Sequence, residues 1–219
     1  MRESTLDFVH RYIPPNPDAE GVSGMTLLAL HGTGGDEADL IPLAQAILPG
    51  AGVLSPRGKV LEGNAPRFFR RLAEGVLDQE DLKFRTAELV QFVEAASAEY
   101  GFDRASVVAV GFSNGANIAA SILLRYPNAL RGAALLSPML PFEPESTPDL
   151  GETDVFIGAG RTDPLVPVEQ VKHLADLLKS GGANVTVHWD QGGHTISPSE
   201  LKAAQKWAAG IVEAAEQFR

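Results

Sequence analysis

The chain has 219 residues, 44% hydrophobic and 21% charged, with 18 basic against 28 acidic side chains and a formal net charge of −10. That balance argues against a nucleic-acid partner, which needs a basic field to displace counterions from phosphate, and the absence of cysteine excludes disulfides, thiolate zinc sites, iron–sulfur clusters and a cysteine nucleophile. The 22 glycines and 15 prolines show no period, which excludes collagen and linker arrays.

At the start, Met1–Asp7 has no apolar run of the signal-peptide kind. No stretch approaches the ~20 apolar residues that span a bilayer, so a soluble cytoplasmic protein without membrane insertion is expected. Short apolar, β-branched runs then predict strands at Phe8–Ile13, Met25–His31, Gly52–Ser55, Ser106–Gly111, Gly132–Ser137, Asp154–Gly158 and Val185–Trp189. Most are continuous rather than alternating, the mark of strands covered on both faces in a mostly parallel sheet. The first has a mixed pattern and ends at Pro14-Pro15, which suits an edge.

Helices are predicted between the strands, at Glu37–Leu48, Gln79–Tyr100, Asn114–Arg125, Val168–Ser180 and Ser199–Phe218. Strand–helix alternation along the whole length predicts one α/β domain over residues 1–219, with about seven strands and helices on both faces. One connection is unusually long. Pro56 to Asp78 contains Arg57, Lys59, Arg67, Arg70 and Arg71 against Glu62, Glu74 and the closing Asp78, a locally basic stretch in an acidic protein. Long loops in compact domains tend to be functional or disordered.

Gly111-Phe112-Ser113-Asn114-Gly115 matches G-x-S-x-G, a pattern that chance would produce in roughly one chain in ten at this composition. Its context strengthens it: the apolar run Val107–Val110 precedes it and a helical stretch follows. That strand–turn–helix context is what a nucleophile elbow requires, because the sharp turn lifts the serine Oγ above the sheet edge. A serine needs a base. His10, His173 and His188 fall on predicted elements and read as structural. His194 follows Gln191-Gly192-Gly193 at the carboxyl end of the last strand, where ligand sites in open α/β sheets lie.

The base in turn needs a carboxylate to fix its tautomer. Asp163 follows the strand Asp154–Gly158 and lies between Ser113 and His194, giving the order Ser, Asp, His. Asp154 sits at the wrong end of that strand, and Asp190 adjoins the histidine's own turn. Acyl transfer also needs donors for the tetrahedral oxyanion. The N–H of Asn114 is one; Thr33 in the glycine-rich loop Leu30-His31-Gly32-Thr33-Gly34-Gly35 supplies the other, with His31 as a loop brace.

These pieces, with Gly160–Pro167 and Gly193-His194, resemble the phospholipase/carboxylesterase family of small serine α/β-hydrolases, which includes the acyl-protein thioesterases. The resemblance extends over nearly the whole chain and implies the α/β-hydrolase fold with Ser113, Asp163 and His194 as the triad. Ser55–Gly58 and Arg67–Leu72 look more like a bacterial branch, some of whose members are associated with responses to quinones and hydroquinones. Asn114 replaces the glutamine common after the nucleophile in the thioesterase branch. Both departures point away from a long-chain acyl-protein substrate.

The expectation is therefore a carboxylesterase that cleaves small or medium esters through an acyl-enzyme on Ser113, without metal or organic cofactor. Its partner would be a small-molecule ester, and a homodimer is an allowed assembly. Thioester or lactone hydrolysis, acyl transfer, and a non-catalytic receptor on the same fold are the alternatives. At this length there is little room for a large cap domain. Phe68 and Phe69 would line the substrate pocket with Arg57 or Arg70 at its mouth; alternatively the phenylalanines anchor the loop and the arginines pair with surface carboxylates.

Overall fold

The computed structural model describes residues 6–19, 21, 22 and 24–217, so Phe218 of the last predicted helix lies outside the described residues. Seven strands form one sheet: β1 (His10–Ile13), β2 (Thr26–Leu30), β3 (Gly52–Pro56), β8 (Val107–Phe112), β9 (Gly132–Leu136), β10 (Asp154–Gly160) and β11 (Asn184–Asp190). Their order is β1-β3-β2-β8-β9-β10-β11. Only β1 runs antiparallel, on β3 at the sheet edge, while the other pairings are parallel. The prolines after Ile13 end β1 where no further ladder bond is needed.

Alternate residues of each central strand enter two cores. Leu28, Leu30, Val107, Ala109, Ala133 and Leu135 face α2 (Gln79–Tyr100), α3 (Asn114–Arg125) and α4 (Val168–Ser180). Leu27, Ala29, Val108, Val110, Ala134 and Leu136 face α1 (Ile41–Ile47) and α5 (Pro198–Gln217). Helices thus cover both faces, which is why the strands read as continuous apolar runs. Among the described residues, no helix is long and apolar enough to cross a membrane.

Local chemistry sets the helix ends. Asp78 caps α2 by accepting from the Asp81 N–H at 3.1 Å, and Gly101, at φ 75°, ends it in the left-handed conformation. Helix α1 begins four residues later than predicted. Pro42 occupies its first turn, where a missing N–H costs nothing, and Asp36 instead folds the preceding residues by accepting from the Ala38 N–H at 2.7 Å.

The long connection is not a structureless loop. It folds as two small hairpins, β4 (Val60–Glu62) with β5 (Ala65–Arg67) and β6 (Arg71–Ala73) with β7 (Val76–Leu77). Gly63 and Gly75 turn them, both at positive φ.

Candidate active site

The site is built at the carboxyl ends of the parallel strands. After β8 the chain turns so sharply that Ser113 takes φ 52° and ψ −113°, a conformation costly for any residue with a Cβ. Its N–H bonds the Leu136 carbonyl at 2.9 Å. The turn exists because Gly111 and Gly115 let backbones touch. A Cβ on Gly111 would collide with the Gly115 carbonyl, and one on Gly115 with the Leu30 carbonyl oxygen.

Two further strand ends meet Ser113. Ser113 Oγ lies 2.8 Å from His194 Nε2, and His194 Nδ1 lies 2.7 Å from Asp163 Oδ2. The Asp163 side chain is only 2% exposed. Its other oxygen accepts the N–H groups of Leu165 at 2.8 Å and Val166 at 3.1 Å, so both carboxylate oxygens are held. The two loops are joined directly: the Arg161 N–H donates to Asp190 O at 2.8 Å and the Thr162 N–H to Gly192 O at 3.1 Å.

Asp190, the weaker sequence candidate, is bonded elsewhere. It accepts from the hydroxyls of Ser197 and Ser199 and the Gly192 N–H at 2.7, 2.6 and 2.7 Å, and these bonds hold its carboxyl down to about 2. It ties the His194 loop to the start of α5. There Ser197 and Glu200 form a capping box: Ser197 Oγ accepts the Glu200 N–H at 3.1 Å and Glu200 Oε2 faces the Ser197 N–H at 3.4 Å. Glu200 is 1% exposed, and burial raises its carboxyl to about 7.

The Thr33 loop and Asn114 flank Ser113, and among the described residues neither backbone N–H has a hydrogen-bond acceptor. Residues 58–68 hold both. The Gly58 N–H donates to His31 Nε2 at 2.9 Å, the Gly34 N–H to Pro66 O at 2.9 Å, Arg67 Nη1 to Thr33 Oγ1 at 2.6 Å, and the Phe68 N–H to Asn114 Oδ1 at 2.7 Å. His31 is the brace expected of it. Its Nδ1–H donates to Gly32 O at 2.7 Å while Nε2 accepts, so the ring is neutral, and burial lowers its basicity in the same sense.

A cavity of about 240 Å³ opens over these groups, lined by Thr33, Ser113, Asn114 and His194 and by Arg67, Arg71, Leu77, Phe112, Met139 and Val166. The expected pocket residues need correcting here. Phe68 and Phe69 are 2% and 0% exposed in the core, where they anchor the excursion. Arg57 pairs with Glu37 through Nη2 at 2.9 Å and Arg70 with Asp78 at 3.0 Å, and neither lines the cavity. The arginines that do are Arg67 and Arg71, which sequence reasoning passed over. Ser137 was also missed. It takes φ 52° at the end of β9, and its hydroxyl is buried in the cavity wall. Among the described residues no three His, Asp or Glu side chains form a metal-ligating group.

The phospholipase/carboxylesterase family profile matches residues 24–210. The "Putative hydrolase MhqD" of Bacillus subtilis (strain 168) is 47% identical over 188 residues, 86% of this chain and 94% of that protein. The crystal structure of a Bacillus cereus carboxylesterase is 47% identical, superposes with a TM-score of 0.90, and is matched over 95% of this chain and 96% of that one. A carboxylesterase from Mesorhizobium loti is 31% identical with a TM-score of 0.81, over 90% of this chain and 98% of that one.

Proposed function

The chain belongs to the phospholipase/carboxylesterase family of hydrolases, and from that premise we propose that it cleaves small or medium carboxylic esters through an acyl-enzyme on Ser113. The observation that carries the reading is the unbroken hydrogen-bonded line from Ser113 Oγ through His194 to the buried Asp163.

In this reading His194 Nε2 takes the Ser113 proton as Oγ attacks the acyl carbonyl. Asp163 keeps the Nδ1–H tautomer and stabilises the imidazolium that forms. The carbonyl oxygen, now an anion, is received by the N–H groups of Thr33 and Asn114, donors fixed before the reaction begins. His194 then gives its proton to the departing alcohol. Water, deprotonated by the same imidazole, attacks the acyl-enzyme and returns Ser113. The 240 Å³ cavity is below the usual range for drug-sized ligands, about 300–1,000 Å³, which favours short arms on the ester.

Pre-steady-state hydrolysis of p-nitrophenyl acetate tests it. The expected result is a burst of one p-nitrophenolate per chain and covalent labelling of Ser113 by a fluorophosphonate. Ser113→Ala is expected to lose both, with kcat down by at least ~10³-fold. Undiminished turnover in that variant would overturn the assignment.

A further inference from the structure

The reading of Ser113 as nucleophile leaves the charge of one cavity group without a task. Arg67, on β5, is 4% exposed yet lines the cavity beside Thr33 and Ser113. Its Nε donates to Phe69 O at 3.1 Å and its Nη1 to Thr33 Oγ1 at 2.6 Å, with Glu62 Oε2 at 3.3 Å from Nη1. Among the described residues Nη2 has no acceptor. A neutral donor would suffice to hold a threonine hydroxyl. A guanidinium keeps its charge in the burial that works against it, because it does not deprotonate in proteins.

The surrounding charges do not cancel it. Glu62 is shared, since Arg71 binds it through Nη2 at 2.8 Å and Nε at 3.0 Å. Two cations therefore face one carboxylate, itself 44% exposed. Glu74, on the β6–β7 turn, also lines the cavity but is exposed, where water and salt screen it. Two more donors in the wall lack acceptors: Asn114 Nδ2 and Ser137 Oγ are buried and unpartnered. Leu77, Met139 and Val166 provide an apolar side for the carbon skeleton.

We infer that the physiological ester carries a carboxylate, or an equally compact anionic oxygen group, which the free Nη2 of Arg67 receives with Arg71 beside it. This rests on the serine-esterase reading and names the substrate class for it. Nη2 carries two N–H donors on a charged group, and a charge-assisted hydrogen bond is about twice as strong as a neutral one. Recognition of a neutral alkyl ester would leave the charge and the free Nη2 of Arg67 unused.

Two pairs of near-isosteric substrates test the inference on either side of the scissile bond: monoethyl succinate against ethyl succinamate, and 4-acetoxybenzoate against 4-acetoxybenzamide. The parent enzyme is expected to favour the charged member of at least one pair by about tenfold or more in kcat/KM, and added salt should reduce that ratio. Arg67→Gln should bring the ratio close to one, and Arg71→Gln should lower it less. Because each ratio is internal to one enzyme sample, a partly folded variant does not distort it. Should Arg67→Gln fail to fold, the parent's ratio, its salt dependence and Arg71→Gln decide. A parent ratio at or below one in both pairs, or an unchanged ratio in Arg67→Gln with equal loss on both members, would overturn the inference and leave Arg67 a brace for Thr33. Either result leaves the nucleophile assignment intact, which fails only if Ser113→Ala retains its esterase activity.

Discussion

Two regions meet at the cavity, and they are held by different physics. The elbow around Ser113 is fixed by steric exclusion, in that Gly111 and Gly115 permit an approach of backbones that no other residue allows. The excursion over residues 57–78 is anchored by the buried Phe68 and Phe69 and aimed by directed polar bonds, four of which reach the Thr33 loop, His31 and Asn114. The first region sets where Ser113 stands and tolerates no change of volume. The second holds the Thr33 loop and Asn114 in place beside Ser113.

Substitutions at the elbow should break that contrast most severely. Gly115→Ala is expected to cost about 4 kcal/mol or more in urea denaturation, since the Leu30 strand end must move to admit a methyl group. A loss under about 1 kcal/mol would mean that the elbow yields more than the packing implies. Asn114→Ala probes the other region. It leaves the Asn114 N–H in place but removes the acceptor for the buried Phe68 N–H, an expected cost of about 1–3 kcal/mol. With it should come a fall in kcat for p-nitrophenyl acetate of about tenfold with little change in KM. Unaltered kcat would separate the excursion from catalysis.

A finer test concerns the strain at Ser113 itself. Ser113→Gly should be more stable than Ser113→Ala by about 1 kcal/mol, because glycine adopts the positive φ without a Cβ penalty. Equal stability would mean that the turn is not strained.

A pH-dependent effect lies under the His194 loop. Glu200, raised to about 7 by burial from an ordinary 4.5, binds a proton in the folded protein that the unfolded chain has released. Stability therefore falls as pH rises from about 4.5 to about 7, and the loss is complete above that. Glu200→Gln should raise Tm by a few degrees at pH ~8 and leave it nearly unchanged at pH ~4.5, read by differential scanning calorimetry. A constant difference across that range would point to the capping contact rather than to ionisation.

The same contrast explains what the sequence disclosed. The strands and helices that carry Ser113, Asp163 and His194 are long, buried on both sides and bounded by turn residues, so their periodicity was readable and the chain order of the three side chains followed from it. The predicted bounds Gln79–Tyr100 match the helix to the residue, and the structure shows Asp78 and Gly101 closing its ends. The excursion was not. Its strands are two or three residues long, too short to show a period, and without the register nothing tells Arg67 from Arg70 or a core Phe68 from a pocket one. One signal was present: Gly63-Asn64 and Glu74-Gly75 are two-residue turns of the hairpin kind, and they would have split the stretch into two hairpins. Whether an arginine's partner is a carboxylate across a turn or a threonine on another loop remains a tertiary fact.

The neutral ring of His31 has a consequence for engineering. Both of its nitrogens are occupied, one within the Thr33 loop and one by the excursion, so the two segments form one hydrogen-bonded unit rather than two separate loops. A chimera that imports a relative's residues 57–78 to change substrate range will keep its rate only if the import brings an N–H to His31, a carbonyl to Gly34, a donor to Thr33 and an N–H to Asn114. Screening grafts for those four bonds before expression should enrich active clones more than matching loop length or charge.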